Sequence, residues 1–360
     1  MNAAALCSKA ARSANELILA GDIGGTKCNL AAFEEHGGVL EVIFQNRFAT
    51  QDFSSFEQLV ETFLTQSIPA RDAIATQRIT AAGFGVAGTV VDGHLHAINL
   101  PWELKPAALA RALNLNLQEI VFMNDVAATA SGLEQLPPED FLVLNEGVRR
   151  ADANKALIAA GTGLGEAVLF WDGRRHLVSP SEGGAADFAP RTDREIELLK
   201  FLKQSLPRVT CEEIFSGRGF QRIHHFLDPG CRHSPSGGGA CDSAREITQN
   251  ALAGTCPVCA ETLNFWIDAF GAEAGNFALR VLAYGGIYLA GGIVLKILGK
   301  LRQSSFCESF ADKFPLGPVL ARIPISVVLN ENAPVLGAAY EALRAVHPRL
   351  GTKAQGCHAD

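Results

Sequence analysis

The 360-residue chain has no apolar run approaching the ~18 residues that a membrane-spanning helix needs. It also lacks an excess of positive charge: 31 Lys and Arg stand against 38 Asp and Glu, a formal net charge of -7. Such a chain has no electrostatic footprint for nucleic acid or an anionic lipid surface, so neither is an expected partner. The first fifteen residues place a short apolar patch ahead of Lys9 and Arg12. That order is wrong and the patch too short for a secretory leader, and the segment reads as a disordered tail. Nine cysteines, odd in number and scattered, do not form a disulfide framework. They read as reduced thiols of a cytoplasmic protein.

Two familiar glycine signatures are missing as well. Gly21–Lys27 lacks the glycine that precedes the lysine of a P-loop. Gly83-Phe84-Gly85-Val86-Ala87-Gly88 matches G-x-G-x-x-G literally, but a turn signal (Thr89–Gly93) follows it where a dinucleotide fingerprint requires a helix.

What is present is repetition. Apolar Leu17–Ala20 leads into Gly21-Asp22-Ile23-Gly24-Gly25-Thr26 and a second apolar stretch, Leu30–Phe33. Later, Leu157–Ala160 leads into Gly161-Thr162-Gly163-Leu164-Gly165 and then Ala167–Phe170. Both read as strand, glycine turn, strand, so a duplicated architecture is expected. Further strands are expected at Arg78–Gly85, Glu119–Met123 and Ile287–Ala290, the last meeting Gly291-Gly292. Thr192 to Leu206 reads as a helix with Ile196, Leu199, Leu202 and Leu206 on its buried face, opened by a capping box of Thr192 and Glu195. Pro334 suits the first turn of a final helix through Ala345, and Asp228–Ser243, rich in Gly, Ser and Pro, reads as a surface loop. Interleaved strands and helices make the fold α/β, and the length suggests two domains.

The chemistry concentrates at the glycine turns. Without Cβ atoms, phosphate oxygens approach backbone N–H groups closely. Asp22 beside the first turn suits Mg²⁺, directly or through water. Asp125 follows a strand and opens an alanine-rich helix, so it is either a helix N-cap or a carboxylate at the ligand-binding edge of a sheet. Glu182 and Glu212 are acceptors suited to sugar hydroxyls, whereas Glu213 reads as the partner of Thr210 in a capping box. Cys256-Pro257-Val258-Cys259, with Cys231, His233 and Cys241 upstream, makes a structural zinc site conceivable, but one close pair is weak support.

Taken together, GDIGGTK (21–27), MNDVAA (123–128), AAGTGLG (159–165), SEGGAADFAP (181–190), EEIFSG (212–217), LAGGIV (289–294) and ENAPVLGAA (331–339) resemble the bacterial glucokinase family, within the hexokinase, actin and chaperone ATPase superfold. The resemblance implies two ribonuclease H-like domains with an interdomain cleft: residues 16–134 plus 335–348, and residues 135–334. It implies ATP and Mg²⁺ as cofactors, glucose as substrate and a homodimer. Gly21, Asp22, Ile23, Gly24, Gly25, Thr26 and Lys27 would form the first phosphate loop. Gly161, Thr162, Gly163 and Gly165 would form the second, and Gly291 and Gly292 the adenosine-side turn. Asp125 matches the catalytic base; Asn124, Glu182 and Glu212 match residues that hold sugar hydroxyls. One position departs from the pattern, since Ala185 stands where the family usually has a histidine that touches the sugar. The zinc-binding cysteine cluster of the related repressor/kinase family is absent in its usual spacing. The alternatives are a kinase for another hexose, an ATPase acting on a protein, and a non-catalytic sugar-sensing regulator of the same fold.

Overall fold

The first expected hairpin opens the structure, a computed structural model that describes residues 16–66, 78–91, 94–97, 100–230 and 243–348. Residues 1–15, read above as a tail, and most of the Gly/Ser/Pro-rich loop lie outside the described residues. β1 (Glu16–Ile23) runs antiparallel to β2 (Lys27–His36), with Ala20 opposite Ala31. Side chains alternate across a strand, and β1 is apolar on both faces because both are covered. Leu19 and Ile23 pack into one core cluster, with Phe56, Leu59 and Phe63 of α1 (Phe56–Gln66) and Leu109 of α2 (Pro106–Leu113). Ile18 and Ala20 pack into another, with Ala128 of α3 (Asp125–Gly132) and with Val335, Ala338 and Ala342 near the C-terminus.

β3 (Val39–Ala49) extends the meander, and β4 (Arg78–Val86) and β7 (Ile120–Asn124) join in parallel, giving the order β3-β2-β1-β4-β7. β5 (Gly88–Val91) and β6 (His94–Ala97) form a separate hairpin, so the G-x-G-x-x-G run lies in strand and opens no helix.

The second sheet repeats the first. β9 (Lys155–Ala160), β10 (Leu164–Trp171) and β11 (His176–Ser181) form an antiparallel meander. β12 (Gly286–Ala290) and β13 (Ile325–Val328) add in parallel, and β8 (Phe141–Asn145) closes the edge antiparallel to β13. The order β11-β10-β9-β12-β13-β8 contains the first sheet's order in its first five strands. The duplication visible in the glycine hairpins is therefore a duplication of whole sheets.

Helices α4 (Asp193–Leu202), α5 (Cys211–Phe215), α6 (Gly217–Leu227), α7 (Ala244–Ala253), α8 (Pro257–Val281) and α9 (Gly292–Lys296) belong to this second part of the chain. Its core centres on α8, where Trp266 stacks on Phe220 at 5.0 Å and on Phe270 at 4.7 Å. Two local expectations need correction. The Thr192–Glu195 capping box forms, but α4 ends at Leu202 and Ile196 is 38% exposed. The face it buries is Glu195, Leu198 and Leu202, because Glu195 is turned inward by the capping box and by Arg191. Thr210 makes no side-chain cap; Glu213 pairs with Arg222 instead.

The final helix, α10 (Ala333–Val346), has Pro334 in its first turn. It lies so close to β4 that a Cβ on Gly83 would run into the Ala338 carbonyl oxygen. Asn332, at its start, accepts hydrogen bonds from Asn29 Nδ2 (3.1 Å) and Gln45 Nε2 (2.7 Å), tying it to β2 and β3. The chain thus divides into two compact units. One runs through Leu136 and includes the segment from Asn332 onward; the other is Pro137–Glu331. Among the described residues, no helix is long and apolar enough to cross a membrane.

Candidate active site

In the first unit, parallel pairing decides which residues meet. The register sets Asp22 beside Gly85 and Val86 beside Asn124, so β1, β4 and β7 deliver Asp22, Asn124 and Asp125 to one sheet edge. Gly85 keeps that edge open: a Cβ there would stand 3.5 Å from the Asp125 Cα and closer still to the Ala128 methyl. The start of α3 can therefore seat directly over the strand.

Sequence reading left helix capping open as a role for Asp125, but Asn124 is the N-cap. Its Oδ1 accepts from the Val126 and Ala127 N–H groups at 2.9 and 3.1 Å, and its Nδ2 donates to the Gly88 carbonyl at 2.8 Å. Asp125 occupies the first helical turn, with its Oδ1 3.0 Å from the Val126 nitrogen. Asn124 thus holds both the start of α3 and the β5 hairpin.

Asp22 is a strained charge. Removal from water pushes its pKa up to about 7; the negative charge of Asp125 adds to this, and Arg47 partly offsets it. Two carboxylates that raise each other's cost of ionisation form a place where a cation is favoured. The donor set therefore fits a divalent ion held near Asp22.

The adjoining turn is closed by the Gly24 N–H donating to the Lys27 carbonyl at 3.0 Å. Thr50 supports it from outside, donating through Oγ1 to the Gly24 carbonyl at 2.7 Å and through its N–H to the Thr26 carbonyl at 3.1 Å. Thr26 and Lys27 are exposed, whereas Gly21 and Ile23 are buried within β1. Arg47 and Thr50 lie 20 and 23 residues beyond Lys27 in sequence, and no local pattern points to them.

In the second unit, the glycine turns after β9 and β12 lie side by side, because Ala290 pairs with Ala159 in parallel register. Gly291 has φ of +94°, and a Cβ there would also run into the Ala160 carbonyl. Only glycine fits that backbone without strain. At the neighbouring turn, the Glu212 carboxylate sits where a Cβ of Gly163 would be, and its Oε2 lies 3.2 Å from the Leu164 N–H that donates to it. The Gly217 N–H donates to the Gly161 carbonyl at 3.0 Å, so the start of α6 is also fastened to the turn.

Glu182 belongs to the same neighbourhood. The Gly183–Ala185 helical turn packs on the start of β10, where a Cβ on Gly184 would meet the Leu164 carbonyl. Just beyond it, Phe188 N–H donates to Val209 O at 3.0 Å and Cys211 N–H to Ala186 O at 2.8 Å, coupling the Glu182 segment to the Glu212 helix. Glu182 and Ala185 are exposed, and Glu212 is half-exposed and 3.3 Å from Arg218. Glu182 and Glu212 thus lie close to the paired turns, whereas Cys256 and Cys259 lie at the start of α8 and Cys231, His233 and Cys241 lie outside the described residues.

Sequence reading missed the carboxylate beneath them. Glu166 of β10 is buried, its Oε2 underlies Gly183, and its Oε1 has no hydrogen-bond partner. Burial pushes its pKa up to about 7, with Arg280 opposing and Glu273 adding to the rise. The alternation of β10 held a usable signal, since Leu164 and Val168, its neighbours on the same strand face, are core residues.

Comparison with known proteins bears on the family and the fold. The glucokinase family model matches residues 19–345. The chain is 38% identical over 348 residues to the glucokinase of Nostoc sp., covering 91% of this chain and 99% of that one. Among solved structures, the glucokinase of an Antarctic psychrotroph superposes with a TM-score of 0.79 at 28% identity, covering 91% of this chain and 99% of the other. A Balamuthia mandrillaris glucokinase solved in complex with glucose shares the fold, with a TM-score of 0.73 at 23% identity and coverage of 93% and 96%. By sequence, sheet topology and these likenesses, the chain belongs to the glucokinase family.

Proposed function

We propose that this protein transfers the γ-phosphoryl group of ATP to the 6-hydroxyl of D-glucose in a single in-line step, with Asp125 as the general base. The observation that best supports this reading is the placement of Asp125 at the open sheet edge beside Asp22, seated by the Asn124 cap. A kinase acting on an alcohol needs such a carboxylate to take the hydroxyl proton as the new O–P bond forms. In this step the sugar O6 attacks the γ-phosphorus and gives its proton to an Asp125 carboxylate oxygen. The bond from phosphorus to the β–γ bridging oxygen breaks, and ADP leaves.

The remaining residues have holding roles. Asn124 uses one amide hydrogen on Gly88, leaving the other for a sugar oxygen. Glu182 and Glu212 accept from other sugar hydroxyls. The N–H groups of Gly25 and Thr26 and of Thr162 and Gly163 cradle the phosphates, those of Gly24 and Gly161 closing their own turns on the Lys27 and Gly163 carbonyls, and Gly291–Gly292 borders the adenosine. Asp22 would hold Mg²⁺, directly or through water, and the ion would supply charge that offsets that of the phosphates. Ala185 offers no side-chain contact to the sugar; one missing hydrogen bond is worth about 0.5–1.5 kcal/mol, so a raised KM for glucose is expected. A homodimer is what the family resemblance implies, and a cytoplasmic location is what the scattered, odd-numbered cysteines suggest.

The test is kcat/KM with ATP and Mg²⁺ over glucose, mannose, fructose, N-acetylglucosamine and a no-sugar blank. Preference for glucose with a silent blank is expected. Turnover in the blank alone would favour a protein-directed ATPase, and no turnover anywhere would favour a sugar-sensing regulator.

A further inference from the structure

The CxxC pair gains a third neighbour in the fold. Cys256 is the N-cap of α8 and Cys259 lies in its first turn, with the Cys259 N–H donating to Cys256 Sγ at 3.4 Å. His224, on α6, packs against them with its Nε2 3.7 Å from Cys259 Sγ. One ligand atom from each of the three lies within 4.8 Å of the others, and all three residues are buried, 2%, 2% and 0% exposed for His224, Cys256 and Cys259. We infer that His224, Cys256 and Cys259 form a binding site for Zn²⁺ or a similarly thiophilic divalent ion.

Geometry and charge both support it. Zn–S and Zn–N bonds of about 2.3 and 2.1 Å at the tetrahedral angle separate sulfur from nitrogen by about 3.6 Å and sulfur from sulfur by about 3.8 Å. The His224–Cys259 distance already matches, and the cluster needs only a small contraction. Two thiolates and a neutral imidazole bring the divalent charge to zero, so a buried ion carries no net charge into the core. Water fills the fourth position, as it does in three-ligand zinc sites. The sequence alone argues against metal here because it shows a single close pair; the histidine that completes the set is 32 residues upstream of Cys256 and becomes a neighbour only through α6–α8 packing. The ion would pin the far end of the helix whose first residue, Gly217, is bonded to the glycine turn at Gly161.

The experiment uses the full chain, purified under reducing conditions, stripped with a chelator and titrated with Co²⁺ and then Zn²⁺. One equivalent of Co²⁺ should bind with a near-ultraviolet thiolate-to-cobalt band, and Zn²⁺ should displace it. His224→Gln should weaken binding at least about tenfold, and the Cys256→Ser/Cys259→Ser pair should abolish the band. Zn²⁺ should also raise the melting temperature of the stripped wild type, a readout that holds even if the double variant folds poorly. The inference is overturned if the reduced wild type gives no thiolate band. It is equally overturned if the band survives in a folded double variant, which would assign the metal to other thiols of the chain.

Discussion

Replacing Glu166 with Gln should stabilise the Pro137–Glu331 unit above pH 7 and leave it nearly unchanged in acid. Glu166 carries a pKa of about 7 in the folded protein against 4.5 for an ordinary glutamate, chiefly because it is buried. Its folded-state pKa is raised, so the native protein binds more protons than the unfolded chain across that interval. The associated stability is fully present below about pH 4.5 and is lost as pH rises through 7. A rise from 4.5 to about 7, at about 1.4 kcal/mol per pH unit, amounts to about 3 kcal/mol. Gln keeps the shape and cannot ionise. At pH 8.5 the variant should therefore be more stable than wild type by up to about 3 kcal/mol, or about 6–12 °C in Tm for a unit of this size. The assay is thermal denaturation of both proteins from pH 4.5 to 9, read as the difference between them. That difference should open between about pH 4.5 and 7 and stay level above it. A constant difference, or a variant less stable at high pH, would mean that Glu166 is ionised and usefully paired with Arg280, and would refute the reasoning.

Two further outcomes follow from the first unit. Asn124→Ala removes the cap of α3 and the tie to Gly88, so it should cost about 1–2 kcal/mol in chemical denaturation. It should also lower kcat more than it raises KM for ATP, because Asp125 loses its seat. Gly83→Ala drives a methyl into the Ala338 carbonyl; a loss of about 1–3 kcal/mol is expected, seen as a lower denaturant midpoint. An unchanged midpoint would mean that α10 does not lie tightly on β4.

The residues that were legible in the sequence owe this to local geometry. A glycine turn between two apolar runs dictates a hairpin wherever it falls, so both hairpins and the sheet duplication they open could be read directly. Asn124 and Asp125 stood out for the same reason, at a strand end, whereas Glu182 and Glu212 were singled out by the family motifs SEGGAADFAP and EEIFSG. What could not be read depends on neighbours distant in sequence. Arg47 and Thr50 reach Asp22 and Gly24 only through the β1–β2–β3 meander. Ile196 looked buried by helical period, but tertiary packing turned Glu195 and Leu198 inward instead. Glu166 shares a strand face with the core residues Leu164 and Val168, but the Gly183 turn that covers it is brought there only by the β10–β11 pairing.

The most direct test of Asp125 as base is kcat for Asp125→Asn with saturating ATP, Mg²⁺ and glucose, alongside glucose affinity by calorimetry. Losing a general base costs about 10²–10⁴-fold, equivalent to about 3–5 kcal/mol of transition-state stabilisation. The expected result is a kcat lowered by that factor with glucose binding largely preserved. A kcat within a few-fold of wild type would contradict the assignment.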